Sequence, residues 1–336
     1  MLKKSVFITG GAGYCGSRLV PQLLDEGYKV TVYDIMYFGC DSLPSENPNL
    51  KIVQGDIRDI QKLSHECSGH DIFISLACIS NDASFELDEK LSTSVNYDAF
   101  EPMVVAAKNS GIKRFIYASS SSVYGVSEEK NVTEDHPLVP LTLYNKYKGL
   151  CEPILIKHID KNFEGVIFRP ATVCGYSPRL RLDLSVNILT NHAYHNNIIK
   201  VFGGEQLRPN LHIQDYCDVV KVFMESTTEK VNKQIFNVGY QNKSILDIAD
   251  TVKTVVNRLE NDRDEIEIII TSSDDNRSYH INSDKIFNTL GFKPKYSIEN
   301  AVEELCGFFS NERLTDTFTN DKYHNVKRVL GFESKK

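Results

Sequence analysis

Cationic charge is scarce in this chain of 336 residues, where 38 Lys and Arg stand against 45 Asp and Glu for a formal net charge of −7. A nucleic-acid backbone needs clustered Lys and Arg, so nucleic acid is not expected as a partner. Any phosphate held here must be met by a few placed cations and by backbone N–H groups at a helix start. Paired cysteine spacing is absent too. The eight cysteines (Cys15, Cys40, Cys67, Cys78, Cys151, Cys174, Cys217 and Cys306) stand singly, with no C-x-x-C pair and no Cys/His cluster at zinc spacing. That argues against a metal centre and for reduced, mostly buried thiols. No apolar run suits a membrane span or a secretory leader, and residues 1–8 pass from Met-Leu-Lys-Lys straight into a strand-like Ser-Val-Phe-Ile. No membrane partner and a cytoplasmic location are expected. Internal repeats and low-complexity segments are missing, and the tail 331–336 is expected to fray.

What is present is an ordinary globular composition, 41% hydrophobic and 25% charged, at a length suited to one large domain carrying a smaller one. Short β-branched runs at 6–9, 29–33, 51–54, 72–76, 115–118 and 166–168 alternate with helical patterns at 14–26, 59–65, 90–109 and 144–161. This alternation predicts an α/β fold, a doubly wound parallel sheet of Rossmann type. After residue 175 the pattern loosens into α+β, with helical stretches near 182–195 and 215–227 and an apolar run at 266–270 expected to be buried. The expected division is a dinucleotide domain at 1–175 and a smaller substrate domain at 176–336. Residues 215–239 are expected to return to the first domain, because the apolar stretch 235–238 can add a strand.

Strand 6–9 is followed by Gly10-Gly11-Ala12-Gly13-Tyr14-Cys15-Gly16, a G-x-x-G-x-x-G turn opening an amphipathic helix. A glycine turn alone need hold no ligand, but the strand before it and the helix after it are the context a dinucleotide site requires. The glycines allow a tight turn, let N–H groups approach a pyrophosphate and let the helix pack on the strand. Eighteen residues beyond Gly16, the second strand ends at Asp34, whose carboxylate can accept both ribose hydroxyls of an adenosine and repel a 2′-phosphate. With no Arg in the next three residues, NAD is expected rather than NADP.

Farther on stand Tyr117-Ala118-Ser119-Ser120-Ser121-Ser122-Val123-Tyr124-Gly125 and Tyr144-Asn145-Lys146-Tyr147-Lys148. Residues four apart share a helix face, so the Lys148 ammonium can favour an ionised Tyr144, whereas no Lys lies four residues after Tyr147. With the glycine turn, these motifs resemble the extended short-chain dehydrogenase/reductase family, in the nucleotide-sugar branch typified by UDP-glucose 4-epimerases. The resemblance runs from residue 5 to about residue 300.

It implies that Tyr144 removes a sugar hydroxyl proton, that Lys148 lowers the Tyr144 pKa and binds the nicotinamide ribose, and that Ser120 hydrogen-bonds the reacting oxygen. Ser119, Ser121 and Ser122 lie within a one-residue slip of that role. In the family's 4,6-dehydratases an Asp-Glu pair stands where this chain has Ser121-Ser122, so elimination is disfavoured. Asp56 with Ile57 resembles the adenine contact, Leu76, Ala77 and Cys78 resemble a strand end lining the cofactor, and Asn96 a buried brace for the loops. Asn187, Arg208 and Arg277 resemble the substrate diphosphate anchors, with Ser121, Thr172 and Val201 also on the substrate side.

The implied activity is NAD-dependent epimerisation of a nucleotide-sugar at C4. The alternatives are a 4-dehydrogenase or 4-keto reductase and, in a different class, a non-catalytic NAD-binding regulator. Thr172-Val173-Cys174-Gly175 departs from the Asn-Val-Tyr-Gly of 4-epimerases, and 171–184 looks like a subgroup that includes a GDP-heptose 4-dehydrogenase. A homodimer is expected through a four-helix bundle of 90–109 and 144–161, with Leu91, Val95, Met103, Val104, Leu150, Ile154, Leu155 and Ile159 on the bundle face.

Overall fold

The computed structural model describes residues 3–80, 82–127, 129, 131–260, 264–272, 278–311 and 316–328, so Arg277 and the tail 331–336 lie outside the described residues. In chain order the first unit contains β1 (Ser5–Thr9), α1 (Tyr14–Asp25), β2 (Lys29–Asp34), β3 (Leu50–Gln54), α2 (Ile60–Cys67) and β4 (Ile72–Ser75). It continues with the short helices α3 (Asp82–Glu86) and α4 (Glu89–Thr93), then α5 (Phe100–Asn109), β5 (Arg114–Ala118), α6 (Leu143–His158) and β6 (Glu164–Pro170). Then come β7 (Thr172–Cys174), α7 (Ser185–Asn196), β8 (Ile198–Phe202), β9 (Leu207–His212), α8 (Ile213–Glu225), α9 (Thr228–Val231) and β10 (Gln234–Val238). The last elements are β11 (Gln241–Ser244), α10 (Ile245–Leu259), β12 (Glu267–Thr271), α11 (Asp284–Leu290) and α12 (Ile298–Ser310).

A seven-stranded sheet in the order β10-β6-β5-β4-β1-β2-β3 forms the first layer system, and every pairing in it is parallel. Helices cover both faces, which is why its central strands are continuous apolar runs. Strand alternation sorts the core: Val6 and Ile8 face the cluster under α1 and α8, while Phe7 faces the cluster under α2, α5 and α6. On that second side Phe7, Phe73 and Phe115 sit in register on three neighbouring strands, with ring centroids 5.2 and 4.7 Å apart. β10 pairs with β6 from residue 234 to 238, so the chain returns to the first sheet after its excursion into the second unit.

The second unit is more regular than its pattern suggests. α7, α10 and α12 pack around β8 in their own apolar cluster. α10 and α12 each open on a capping box, Ser244 with Asp247 and Ser297 with Asn300. The 266–270 run is not a buried strand. β12 is half of a two-stranded sheet with β8, and only Ile266, just before it, is fully buried while Ile270 is 56% exposed.

The single helix expected over 90–109 is broken by a π-helical turn at Ser94–Asp98. There Asn96 turns inward, its Oδ1 accepting the Ile79 N–H at 2.8 Å and its Nδ2 donating to the Ile79 carbonyl at 2.9 Å. Much of the expected bundle face is also spoken for: Met103, Val104 and Leu155 are buried in the chain's own core, while Leu150 is exposed. Among the described residues no helix is long and apolar enough to cross a membrane.

Candidate active site

The turn after β1 is shaped by close approach. Gly10 has φ +76°, and a Cβ there would come within 2.6 Å of the Ala77 nitrogen; a Cβ on Gly16 would overlap the Gly11 carbonyl. α1 can therefore press against its own entry loop. Its N-cap, Gly13, makes no side-chain cap bond, so the first N–H groups of α1 face the space at the strand ends uncapped. That space is a cavity of about 840 Å³ between the carboxyl ends of the large sheet and the second unit.

Gly10, Gly13, Tyr14, Cys15 and Gly16 line it, as do Asp34, Asp56, Ile57, Leu76, Ala77 and Cys78. Asp34 accepts the Ala12 N–H at 3.0 Å and the Met36 N–H at 2.8 Å. Burial raises its carboxyl above the usual range even though those N–H groups oppose the rise. The Asp56 carboxylate is forked by Arg58, with Nε 3.0 Å from both oxygens. Asn96 does not reach the cavity and works through Ile79, which does line it.

α6 brings Tyr144 and Lys148 to the cavity one turn apart, starting from a Thr142 cap whose Oγ1 accepts the Asn145 N–H at 3.3 Å. The electrostatics differ from the expected Lys148 effect. Burial pushes the Tyr144 phenol well above its ordinary value, Cys78 and Asp82 add to this, and the cation that opposes it is Arg181. Lys148 Nζ is turned to the Ala118 carbonyl at 2.8 Å and lies 5.3 Å from the Tyr117 ring centre. Tyr147 is a packing residue, stacked on Tyr97 at 5.0 Å.

Ser119, Ser120, Ser121 and Ser122 all line the cavity. Ser120 Oγ lies 2.7 Å from Ser122 Oγ and accepts the Ser122 N–H, while Ser122 donates to Asn145 Oδ1. Ser119 is tied down from behind, donating to Glu152 Oε1 at 2.6 Å.

On the far side Thr172 and Arg208 line the cavity, with the Arg208 guanidinium 5.8 Å from the Tyr279 ring centre. Two expected substrate contacts are not brought there. Val201 is fully buried in the α7/α10/α12 core, where the alternation of β8 turns it inward. Asn187 is also fully buried and clamps a loop, accepting the Gly175 N–H at 2.9 Å and donating to the Arg181 carbonyl at 2.8 Å.

Residues not anticipated also line the cavity: Asp82, Arg179, Arg181, Lys200, Phe202 and Asn325. Arg179 and Arg181 had a signal, two cations one residue apart in a Pro-Arg-Leu-Arg-Leu-Asp run that alternates polar and apolar. Asn325 had none, since it arrives from a distant segment. Among the described residues no cluster of His, Cys, Asp or Glu could hold a metal ion.

Comparison with known proteins agrees with this architecture. The low-salt glycan biosynthesis protein Agl12 of Haloferax volcanii is 26% identical, over 90% of this chain and 98% of the relative. The dTDP-D-glucose 4,6-dehydratase of Mus musculus is 27% identical, over 91% and 88%. A solved UDP-N-acetylglucosamine 4-epimerase from Methanobrevibacter ruminantium, 23% identical, superposes with a TM-score of 0.82 over 93% of this chain and all of the other. The model of the NAD dependent epimerase/dehydratase family matches residues 6–239, from the first strand of the large sheet to the last to join it. The chain is therefore an enzyme that belongs to the NAD-dependent epimerase/dehydratase family.

Proposed function

We propose that this enzyme binds NAD and epimerises a nucleotide-sugar at C4 through a transient 4-keto sugar. The observation that carries the proposal is the gathering of Tyr144, Lys148 and Ser120 in the same cavity as the uncapped α1 terminus, with Arg208 on its far side. The glycine cradle that a Cβ would fill and the ribose-facing Asp34 fit the dinucleotide. When bound, the dinucleotide would supply the hydride acceptor and donor for the sugar carbon.

In this reading Tyr144 removes the C4 hydroxyl proton and later gives it back to the ketone oxygen. Ser120 donates a hydrogen bond to that oxygen, Lys148 orients the nicotinamide ribose, and Arg181 stabilises the phenolate against the burial that opposes it. Arg208 meets the substrate diphosphate, for which a guanidinium fork is suited. The hydroxyls of Ser121 and Ser122 cannot do the acid/base work of an Asp-Glu pair, which favours epimerisation over elimination. A homodimer through α5 and α6 belongs to the same reading. Leu150 would lie in the interface, and a monomeric mass in light scattering would refute it.

Nucleotide-sugars of different bases, incubated with the enzyme and NAD, test the activity. Product with flat absorbance at 340 nm means epimerisation, and rising absorbance means a dehydrogenase. Tyr144→Phe should cut kcat by about 10²–10⁴-fold while NAD affinity holds, and Tyr147→Phe should do far less. A Tyr144→Phe enzyme with near-normal turnover would remove Tyr144 from the role of base.

A further inference from the structure

The segment after β7 crosses the start of α1 and is sewn to it. The Tyr14 phenol donates to the Gly175 carbonyl at 2.7 Å, and Ser177 Oγ donates to the Tyr14 carbonyl at 2.7 Å. Ser177 Oγ also lies 2.7 Å from Ser17 Oγ, which accepts the Arg179 N–H at 3.1 Å. Residues 175–179 thus ride as a strap on the first turn of α1, whose own N–H groups are uncapped.

From the strap, the Arg179 side chain enters the cavity. It is 5% exposed, its guanidinium carbon lies 3.5 Å from the centre of the Phe38 ring, and Nη2 donates to Asn325 Oδ1 at 2.5 Å. Nε is buried with no hydrogen-bond partner among the described residues.

Counter-charge is short there. Asp183 is engaged by Arg181 at 2.9 Å, and the oxygens of Asp34 accept backbone N–H groups. A buried guanidinium with an unmet donor is costly unless something anionic completes it. Burial and the neighbouring Arg181 pull its proton affinity down to about 9.

We propose that Arg179 is the cation of the cofactor's diphosphate subsite, laid by the 175–179 strap over phosphate oxygens that the N-terminus of α1 holds from the other side. The inference rests on the cofactor reading and extends it. A loop of backbone N–H groups offers only partial charges, and here the second unit supplies the full one. The strap ties cofactor retention to the position of that unit: the dinucleotide leaves only when 175–179 lifts from Tyr14 and Ser17.

Calorimetry on the full-length chain with ADP-ribose and with adenosine tests this. Arg179→Gln should weaken ADP-ribose about 10- to 100-fold, the range for a lost charge-assisted contact, and leave adenosine unchanged. Equal losses for both ligands would make Arg179 a packing residue, and no loss for either would also overturn the inference. If the Gln variant does not fold, Arg179→Lys carries the test, since losing the fork must weaken ADP-ribose more than adenosine. A wild-type chain that ignores ADP-ribose overturns the cofactor reading and this inference together. A wild-type chain that binds it as tightly as the variant does overturns this inference alone.

Discussion

Glu152 sits one turn beyond Lys148 on α6 and pairs with Arg169 of β6; each is 3% exposed. Arg169 Nε donates to Glu152 Oε1 at 2.9 Å and Nη2 to Oε2 at 2.6 Å. Nη1 reaches the Tyr124 hydroxyl at 2.6 Å and the Glu134 carbonyl at 3.0 Å. Ser119 donates to the same carboxylate, so the pair holds the serine loop from below.

Glu152→Ala removes the acceptor for both Arg169 contacts and for Ser119, and leaves a buried guanidinium without its counter-charge. The expected cost is about 3–5 kcal/mol. The exposed pair of Lys157 on α6 and Glu101 on α5 serves as control, and Glu101→Ala should cost far less than Glu152→Ala. Urea unfolding can be followed by tyrosine fluorescence without interference, because the chain has 16 Tyr and no Trp. Replacing both Glu152 and Arg169 by Met should recover much of the loss, since it is the unpaired charge that is costly. A Glu152→Ala variant that loses less than about 1 kcal/mol would refute the reading of the pair as a buried brace.

Two further outcomes follow from the cavity walls. If Asp34 takes the adenosine ribose as proposed, NAD(H) should bind far more tightly than NADP(H); equal affinities by calorimetry would remove Asp34 from that role. Burial pushes the Asp183 carboxyl up, but Arg181 and the Asn325 N–H outweigh it and hold it below the usual range. A carboxyl lowered on folding adds stability that is complete above its unfolded pKa near ~4 and is lost as pH falls through the folded value. Asp183→Asn should therefore flatten the acid limb of a stability–pH curve, and an unchanged limb would show that the Arg181 pair contributes nothing.

The first sheet was legible because each strand is an apolar run and each helix carries one apolar face. Only those patterns survive in a single sequence. The π-helical turn was not legible, since a helix that inserts one residue keeps the same composition, and the reason for it, the Ile79 backbone, lies 17 residues away. Asn187 was misplaced because its partners, Gly175 and Arg181, lie 12 and 6 residues away, and Val201 because of strand register. A one-residue difference on β8 swaps cavity for core, as Lys200 and Phe202 show by lining the cavity on either side of Val201. Ser244 and Ser297 mark the starts of α10 and α12 through their capping boxes, a signal carried by the sequence itself. Arg277 lies outside the described residues.

The return of β10 also bears on how the protein is made. β6 ends at residue 170 and its outer neighbour begins at residue 234, so about sixty residues must be synthesised in between. At ordinary elongation rates that interval lasts roughly 3–13 s. Throughout it β6 is a bare parallel edge carrying the apolar run Val166, Ile167 and Phe168, the kind of edge that recruits foreign strands. The nascent chain therefore passes through a stage in which its most nearly finished domain is also its stickiest, and that stage ends when Gln234–Val238 arrives and closes the sheet.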